Sequence, residues 1–287
     1  MTILLTGGTG KTSSQIATLL KDAKIPFLLT SRRPQTEPNY VKFDWSDAST
    51  YKNPFQHEQG RDIKTIYLVA PEIMDPFVPV NEFVELAVKE YGVKRFVLLG
   101  GTDGPGEGRH MGMVWQKLLD LKVEYCVLRP NWFMDNFVDP FFGQFLSTIK
   151  AEKKIYTAAG DAKISFISAI DIARVAFHGL VDERPHNTDY RIDGPEALTY
   201  DEASIAAKLT ACLGVKIEHV KLSEEDRVKQ LAKLGTPEPY AWFLAALEAR
   251  FALMEGLPVS KDVEKVTGRS PQTFDSFAQE HKAVWGY

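Results

Sequence analysis

Cysteine is scarce in this chain of 287 residues, with Cys126 and Cys212 the only two, too few and too far apart for a disulfide framework or a clustered zinc site. Both read as inert core thiols. Long apolar runs are missing too. No window approaches the ~20 apolar residues of a membrane span, and Met1-Thr2-Ile3-Leu4-Leu5 runs into glycines without a signal-peptide pattern. A cytoplasmic protein with no membrane partner is the expectation. The chain also lacks a basic excess: its net charge is -4, whereas neutralising nucleic-acid phosphates requires a basic face, so no nucleic-acid partner is expected. Three hydrolytic, metal and redox signatures are absent, His-Glu-x-x-His, Gly-x-Ser-x-Gly and Cys-x-x-Cys, and no metal is expected.

What is present is the composition of an ordinary globular enzyme, 44% apolar and 25% charged, in a length that allows a nucleotide domain with an appended subdomain. Through the first half, short apolar runs alternate with longer amphipathic stretches, the pattern of repeated βα units. The reading places strands at Thr2 to Leu5, Phe27 to Thr30, Val41 to Phe43, Thr65 to Val69, Arg95 to Leu99 and Tyr125 to Leu128. Helical spacing marks Ser13 to Asp22, Pro79 to Tyr91 and Met111 to Leu121. After Pro130 the order changes: aromatics crowd Trp132 to Phe145, then a strand-like Ser165-Phe166-Ile167, a helix from near Ile170 and a return strand at Tyr190-Arg191-Ile192. From Tyr200 the pattern is mainly helical, punctuated by Gly214, Gly235, Pro237, Pro239, Gly256, Pro258 and Pro271. The expected fold is α/β, a Rossmann-type doubly wound parallel sheet with a smaller, mainly helical C-terminal subdomain covering the substrate. Residues 1–155 are assigned to NADP(H) binding and 156–287 to the subdomain, with the strand near 190–193 returning to the sheet.

The stretch Leu4-Leu5-Thr6-Gly7-Gly8-Thr9-Gly10-Lys11-Thr12-Ser13 joins the first strand to the first helix, where a tight turn aims backbone N–H groups and the helix dipole at a phosphate. Gly8, Gly10 and Ser13 fit G-x-G-x-x-G/A with serine last. A P-loop needs glycine five positions before Gly10, and Leu5 stands there, which removes the NTPase reading. The end of the second strand distinguishes the dinucleotides. An acidic residue there would accept from the NAD ribose, whereas an arginine accommodates the 2′-phosphate of NADP. This chain has Ser31-Arg32-Arg33, so NADPH is the expected cofactor. Asp44-Trp45 is placed to cap the adenine, and Ala70-Pro71, after the fourth strand, joins the candidate cofactor set with Lys117.

No tyrosine in the chain has a lysine four residues later, although many reductases on this fold use that pair to protonate a carbonyl oxygen. Reducing a ketone leaves an alkoxide that needs a proton donor. An iminium carbon is already electrophilic, and hydride addition gives a neutral amine with no proton transfer, so positioning and exclusion of water are the main requirements. The absence is equally compatible with a sensor that binds NADP(H) without turnover, and a quinone or enone reductase on the same scaffold is a third reading. His110, after the fifth strand, is a candidate substrate contact or a surface residue. Trp132 and Phe133 are candidates to line a pocket for a flat apolar substrate, or core; Phe137, Phe141, Phe142 and Phe145 read as core.

Thr6 to Thr12, Phe43-Asp44-Trp45, Arg95 to Leu99, Leu128-Arg129-Pro130-Asn131-Trp132-Phe133-Met134-Asp135-Asn136, and Phe166-Ile167-Ser168 with Asp171 to Ala176 together resemble the NmrA-like branch of atypical short-chain dehydrogenases. Gly194 to Glu202 and Val266-Thr267-Gly268 extend the likeness almost to the C-terminus. Within that branch the chain is similar to the fungal festuclavine and agroclavine dehydrogenases of ergot-alkaloid biosynthesis. The resemblance implies NADPH-dependent reduction of a cyclic iminium in an indole alkaloid. Those relatives tend to carry a serine-containing segment after the fifth strand, where this chain has Gly100-Gly101-Thr102-Asp103-Gly104-Pro105-Gly106.

Overall fold

The computed structural model describes residues 1–33, 35–71, 73–101, 103–108, 110–140, 142, 144–251 and 258–287. Thr102, Phe141 and Gly256, named above, lie outside them. Two compact units interleave along the chain. One comprises Met1–Pro130, Ala169–Ile192 and Asp262–Arg269; the other comprises Asn131–Ser168, Asp193–Lys261 and Ser270–Tyr287.

The first unit is built on strands β1 (Ile3–Leu5), β2 (Phe27–Ser31), β3 (Tyr40–Lys42), β4 (Thr65–Leu68), β5 (Arg95–Leu99), β6 (Glu124–Pro130) and, later in the chain, β8 (Thr188–Ile192). They form one sheet of seven strands in the order β3-β2-β1-β4-β5-β6-β8, and every pairing is parallel. Its helices are α1 (Lys11–Asp22), α2 (Asn53–Gln56), α3 (Phe77–Tyr91), α4 (Met111–Asp120), α6 (Ala169–Val181) and α10 (Asp262–Thr267). Parallel strands are covered on both faces and therefore read as continuous apolar runs; all three residues of β1 and all four of β4 are buried. Val80, Phe83 and Val84 of α3 and Val114, Trp115 and Leu118 of α4 form one core with Leu4, Leu28, Ile66, Phe96 and Leu98. On the other face α1 packs beside α6. Gly179 lets α6 approach the sheet closely, since a β-carbon there would stand 3.1 Å from Cys126 and Val97.

Strand order reverses between β1 and β4, the switch point at which doubly wound sheets open a crevice beyond the strand ends. The turns after β1, β2, β4 and β5 all leave this one edge.

The second unit holds α5 (Phe145–Glu152), β7 (Lys154–Thr157), α7 (Ile205–Leu213), β9 (Glu218–Lys221), α8 (Glu224–Lys233), α9 (Glu238–Arg250) and α11 (Phe274–Glu280). The strands β7 and β9 pair in parallel, an element that the sequence pattern does not reveal. Ser165-Phe166-Ile167 is not a regular strand: around it stand isolated bridges, Phe133 to Ile167 and Ile164 to Leu198. The core gathers Trp132, Phe137, Phe145, Phe166, Tyr200 and Phe274. Glu248 of α9 and Arg227 of α8, each 1% exposed, pair at 2.8 Å, and Glu248 also accepts from the Ala158 N–H at 2.8 Å. Both charges are thereby compensated inside the core, as burial requires. No helix among the described residues is long and apolar enough to cross a membrane.

Candidate functional site

The turn after β1 is shaped by its neighbours as much as by its glycines. The Thr6 hydroxyl donates to the Tyr67 carbonyl at 2.9 Å and accepts from the Val69 N–H at 2.8 Å, bridging β1 to β4. Gly7 sits at φ +61, a left-handed conformation that favours glycine, with its N–H on the Thr30 hydroxyl at 3.0 Å. The Gly8 N–H donates to the Thr30 carbonyl at 2.9 Å. Ser13 returns its hydroxyl to the Thr6 carbonyl at 2.8 Å. Small size alone would explain a serine there; the bond shows that it also locks α1 to the turn.

Gly10 caps α1 without a side-chain bond, and the first turn of the helix carries no acidic residue. The first N–H groups of a helix have no intrahelical acceptor. The N–H groups of Thr9, Thr12 and Ser13 find none among the described residues, so the turn presents unsatisfied donors and the positive end of the helix dipole. A pyrophosphate fits this donor set. Thr12 is engaged on its other side, its hydroxyl accepting from Tyr67 Oη at 3.0 Å in the buried interior. Lys11 begins α1, half-buried.

Ser31 ends β2 and holds the next turn, its hydroxyl accepting from the Arg33 N–H and Gln35 Nε2, both at 3.2 Å. Arg32 and Arg33 are exposed. Neither guanidinium pairs with a described residue, which leaves their donors available for an anion. After β3, the Asp44 carboxylate accepts from the Ser46 N–H at 2.9 Å. Trp45 packs edge-on to Phe43 at 4.8 Å and to Phe83 at 5.6 Å, and its carbonyl accepts from the Tyr51 hydroxyl at 2.9 Å. Ala70 and Pro71, half-buried, follow β4 at the same sheet edge.

Lys117 lies in the second turn of α4, where its ammonium pairs with Glu85 of α3 at 3.1 Å. His110 precedes that helix as its N-cap. Desolvation lowers its pKa from the ordinary imidazole value against the opposing pull of Asp103, which favours a neutral ring. The glycine-rich loop folds back on α4: Gly106 donates to the Gly112 carbonyl at 2.8 Å, and a β-carbon on Gly112 would stand 2.3 Å from the carbonyl oxygens of Gly104 and Glu107.

Trp132 and Phe133 belong to the second unit. The Trp132 ring, 6% exposed, meets Phe142 at 5.4 Å and Phe251 at 5.0 Å edge-on. Its indole N–H has no acceptor among the described residues. Phe133 is half-buried and bridges to Ile167. Phe137 and Phe145 are fully buried and stacked at 5.2 Å, as core residues should be.

No family model matches the chain. It is 41% identical to the agroclavine dehydrogenase of Claviceps fusiformis, with 99% of each chain covered. It is 42% identical to the festuclavine dehydrogenase of Aspergillus fumigatus, again with 99% of each covered. The chain belongs to the agroclavine and festuclavine dehydrogenase family. Among solved structures, the NADPH complex of an NADPH-dependent quinone oxidoreductase from Escherichia coli superposes with a TM-score of 0.80 at 22% identity, covering 98% of this chain and 99% of that one. This likeness shows that the chain has a Rossmann-type fold.

Thr6, Thr30 and Tyr67, which fix the glycine turn, are absent from the residues read as functional. The available signal was a threonine at the end of each of the first two strands, a residue type whose hydroxyl readily bonds local backbone.

Proposed function

We propose that this protein is an NADPH-dependent reductase of a cyclic iminium in an ergot-type indole alkaloid. The observation that carries the reading is its end-to-end similarity to dehydrogenases named for agroclavine and festuclavine. In this reading the turn of Gly7, Gly8, Thr9, Gly10, Lys11 and Thr12 holds the pyrophosphate, the glycines by allowing close approach and Thr9, Thr12 and the following Ser13 through their unsatisfied backbone N–H groups, and Arg32 and Arg33 bind the 2′-phosphate by charge-assisted hydrogen bonds. Ser31 sets the backbone that presents the two arginines, Asp44 and Trp45 flank the adenine, and Ala70 and Pro71 form the floor beside β4. Lys117, paired with Glu85, is the remaining candidate cofactor contact.

When bound, NADPH supplies the hydride. Addition to the C=N carbon moves the π electrons onto nitrogen and yields a neutral tertiary amine, so no residue has to deliver a proton at that step. The lack of a tyrosine with lysine four residues later fits this chemistry. The protein's part is orientation and exclusion of water; Trp132 and Phe133 are the candidate apolar substrate contacts of the second unit, and a neutral His110 is a candidate of the first.

Incubation of the purified protein with NADPH and a panel of cyclic iminium compounds tests the reading. NADPH consumption with a product that has gained one hydride is the expected result, its protonated ion standing two hydrogens above the iminium cation. Turnover of quinones with no reaction on any iminium would replace it by quinone reduction, and tight NADPH binding with no oxidation by either class would favour a sensor.

A further inference from the structure

Asp193 is 2% exposed, and a carboxylate withdrawn that far from water is costly unless hydrogen-bond donors surround it. Donors from well-separated positions of the second unit converge on it. The Ser165 hydroxyl donates to Oδ1 at 2.8 Å and the Asn131 amide nitrogen to the same oxygen at 3.4 Å, while the Ser260 N–H donates to Oδ2 at 2.8 Å. A carboxylate can only accept. The buried Ser165 hydroxyl therefore points its proton at Asp193 and is left to accept from the Asn131 amide nitrogen at 2.8 Å. That turns the Asn131 amide oxygen the other way, where it accepts from the Trp132 N–H at 2.9 Å.

The chain of bonds thus ends on the main chain of a candidate substrate contact. The Trp132 carbonyl accepts from the Ile167 N–H at 2.9 Å, and the Met134 N–H donates to the Ile167 carbonyl at 2.8 Å, so Trp132 is held through both of its main-chain polar groups. Space enforces the same arrangement: a β-carbon on Gly194, next to Asp193, would lie 1.7 Å from the Phe166 carbonyl oxygen. The residue so held is also one whose buried indole N–H has no acceptor among the described residues, a donor that a bound molecule can satisfy. We propose that Asp193 is a positioning residue, which through Ser165 and Asn131 fixes the Trp132–Phe133 segment against the substrate; the kinetic part of this rests on the reductase reading above. Asp193 touches no reacting atom in this role. Its acceptor-only chemistry sets the direction of every bond from Ser165 to Trp132.

An exchange of the two side chains tests the proposal. Asn131→Asp sets two carboxylates against each other, and Asp193→Asn puts an amide where only acceptors fit. Each should lower kcat for an iminium substrate by about 10- to 100-fold while the NADPH Kd stays within about twofold. Amide exchange at residues 132–134 and 164–167 should quicken by about tenfold in both. The double variant Asn131→Asp with Asp193→Asn keeps one amide, one carboxylate and the net charge, and should recover kcat and exchange to within about threefold of wild type. Ser165→Ala, which removes only the relaying hydroxyl, is the milder variant should either single one fail to fold, and the same split between kcat and NADPH Kd is expected of it. Wild-type kcat in the folded variants, a double variant no better than the single ones, or losses in which kcat and NADPH affinity fall together overturns the assignment. A wild type that turns over no iminium overturns the reductase reading and the kinetic role with it, while the exchange rates still decide whether Asp193 holds the Trp132 segment.

Discussion

Gly8 and Leu29 stand so close that a β-carbon on Gly8 would lie 2.8 Å from Cβ of Leu29, with the Thr30 carbonyl oxygen also at 2.8 Å. The obstruction includes main chain, which cannot rotate away. Gly8→Ala must therefore push the turn off β2 and disturb the N–H groups that follow it. The expected outcome is a loss of stability of about 1–3 kcal/mol, the usual range for overpacking, together with a loss of NADPH affinity exceeding about tenfold. Calorimetric titration alongside thermal unfolding checks both. Affinity retained in a destabilised variant would separate the turn from cofactor binding.

The two arginines after β2 make a sharper prediction. Arg32 and Arg33 are exposed and without a partner among the described residues, so their removal should cost the fold little. Charge-assisted hydrogen bonds to a 2′-phosphate are worth about 1.5–3 kcal/mol. Arg32→Ala should weaken NADPH by about 10- to 100-fold while leaving NADH within about twofold, read as the ratio of the two dissociation constants. Equal losses for both cofactors would remove the 2′-phosphate assignment.

The sheet was legible because a buried parallel strand leaves a dense local signal, as in Thr65 to Leu68, where every residue is buried. The glycine turn was legible because a left-handed Gly7 and a crowded Gly8 tolerate few other residues. The strands β7 and β9 left no such trace. Their exposure is mixed, and each finds its partner some sixty residues away, Lys154 opposite Glu218. Partners that act across elements were equally hidden. The reach of Thr6 to Tyr67 and Val69, and the pairing of Lys117 with Glu85, depend on which strands and helices become neighbours.

The Arg227–Glu248 pair predicts an asymmetry between single and double substitutions. Glu248→Ala strands a buried guanidinium and leaves the Ala158 N–H without the carboxylate that accepts it at 2.8 Å. Breaking a buried pair from one side costs about 3–5 kcal/mol, while replacing both partners with apolar residues of similar volume is often close to neutral. Glu248→Ala should therefore lower the urea midpoint far more than Arg227→Met combined with Glu248→Leu. If the double variant were as unstable as the single one, the pair would be contributing through its exact hydrogen-bond geometry rather than through charge compensation.

His219 gives a pH prediction whose sign follows from its surroundings. Burial, assisted by the nearby Lys221 ammonium, pushes its pKa down to about 4. One ring nitrogen, Nε2, contacts the Thr157 hydroxyl at 2.8 Å, and Nδ1 has no partner among the described residues. The folded protein thus holds a neutral imidazole, whereas the unfolded chain takes up a proton near pH 6.5. Between about pH 6.5 and about pH 4 the unfolded state binds the extra proton, so stability falls as pH falls through that window and changes no further below it on this account. The loss is on the order of 2–3 kcal/mol across the window. Urea unfolding of wild type and His219→Gln at about pH 7.5 and about pH 4.5 measures it. The wild type should lose more stability than the variant on acidification, and an identical loss in the two proteins would mean that the folded state protonates His219 as readily as the unfolded one does.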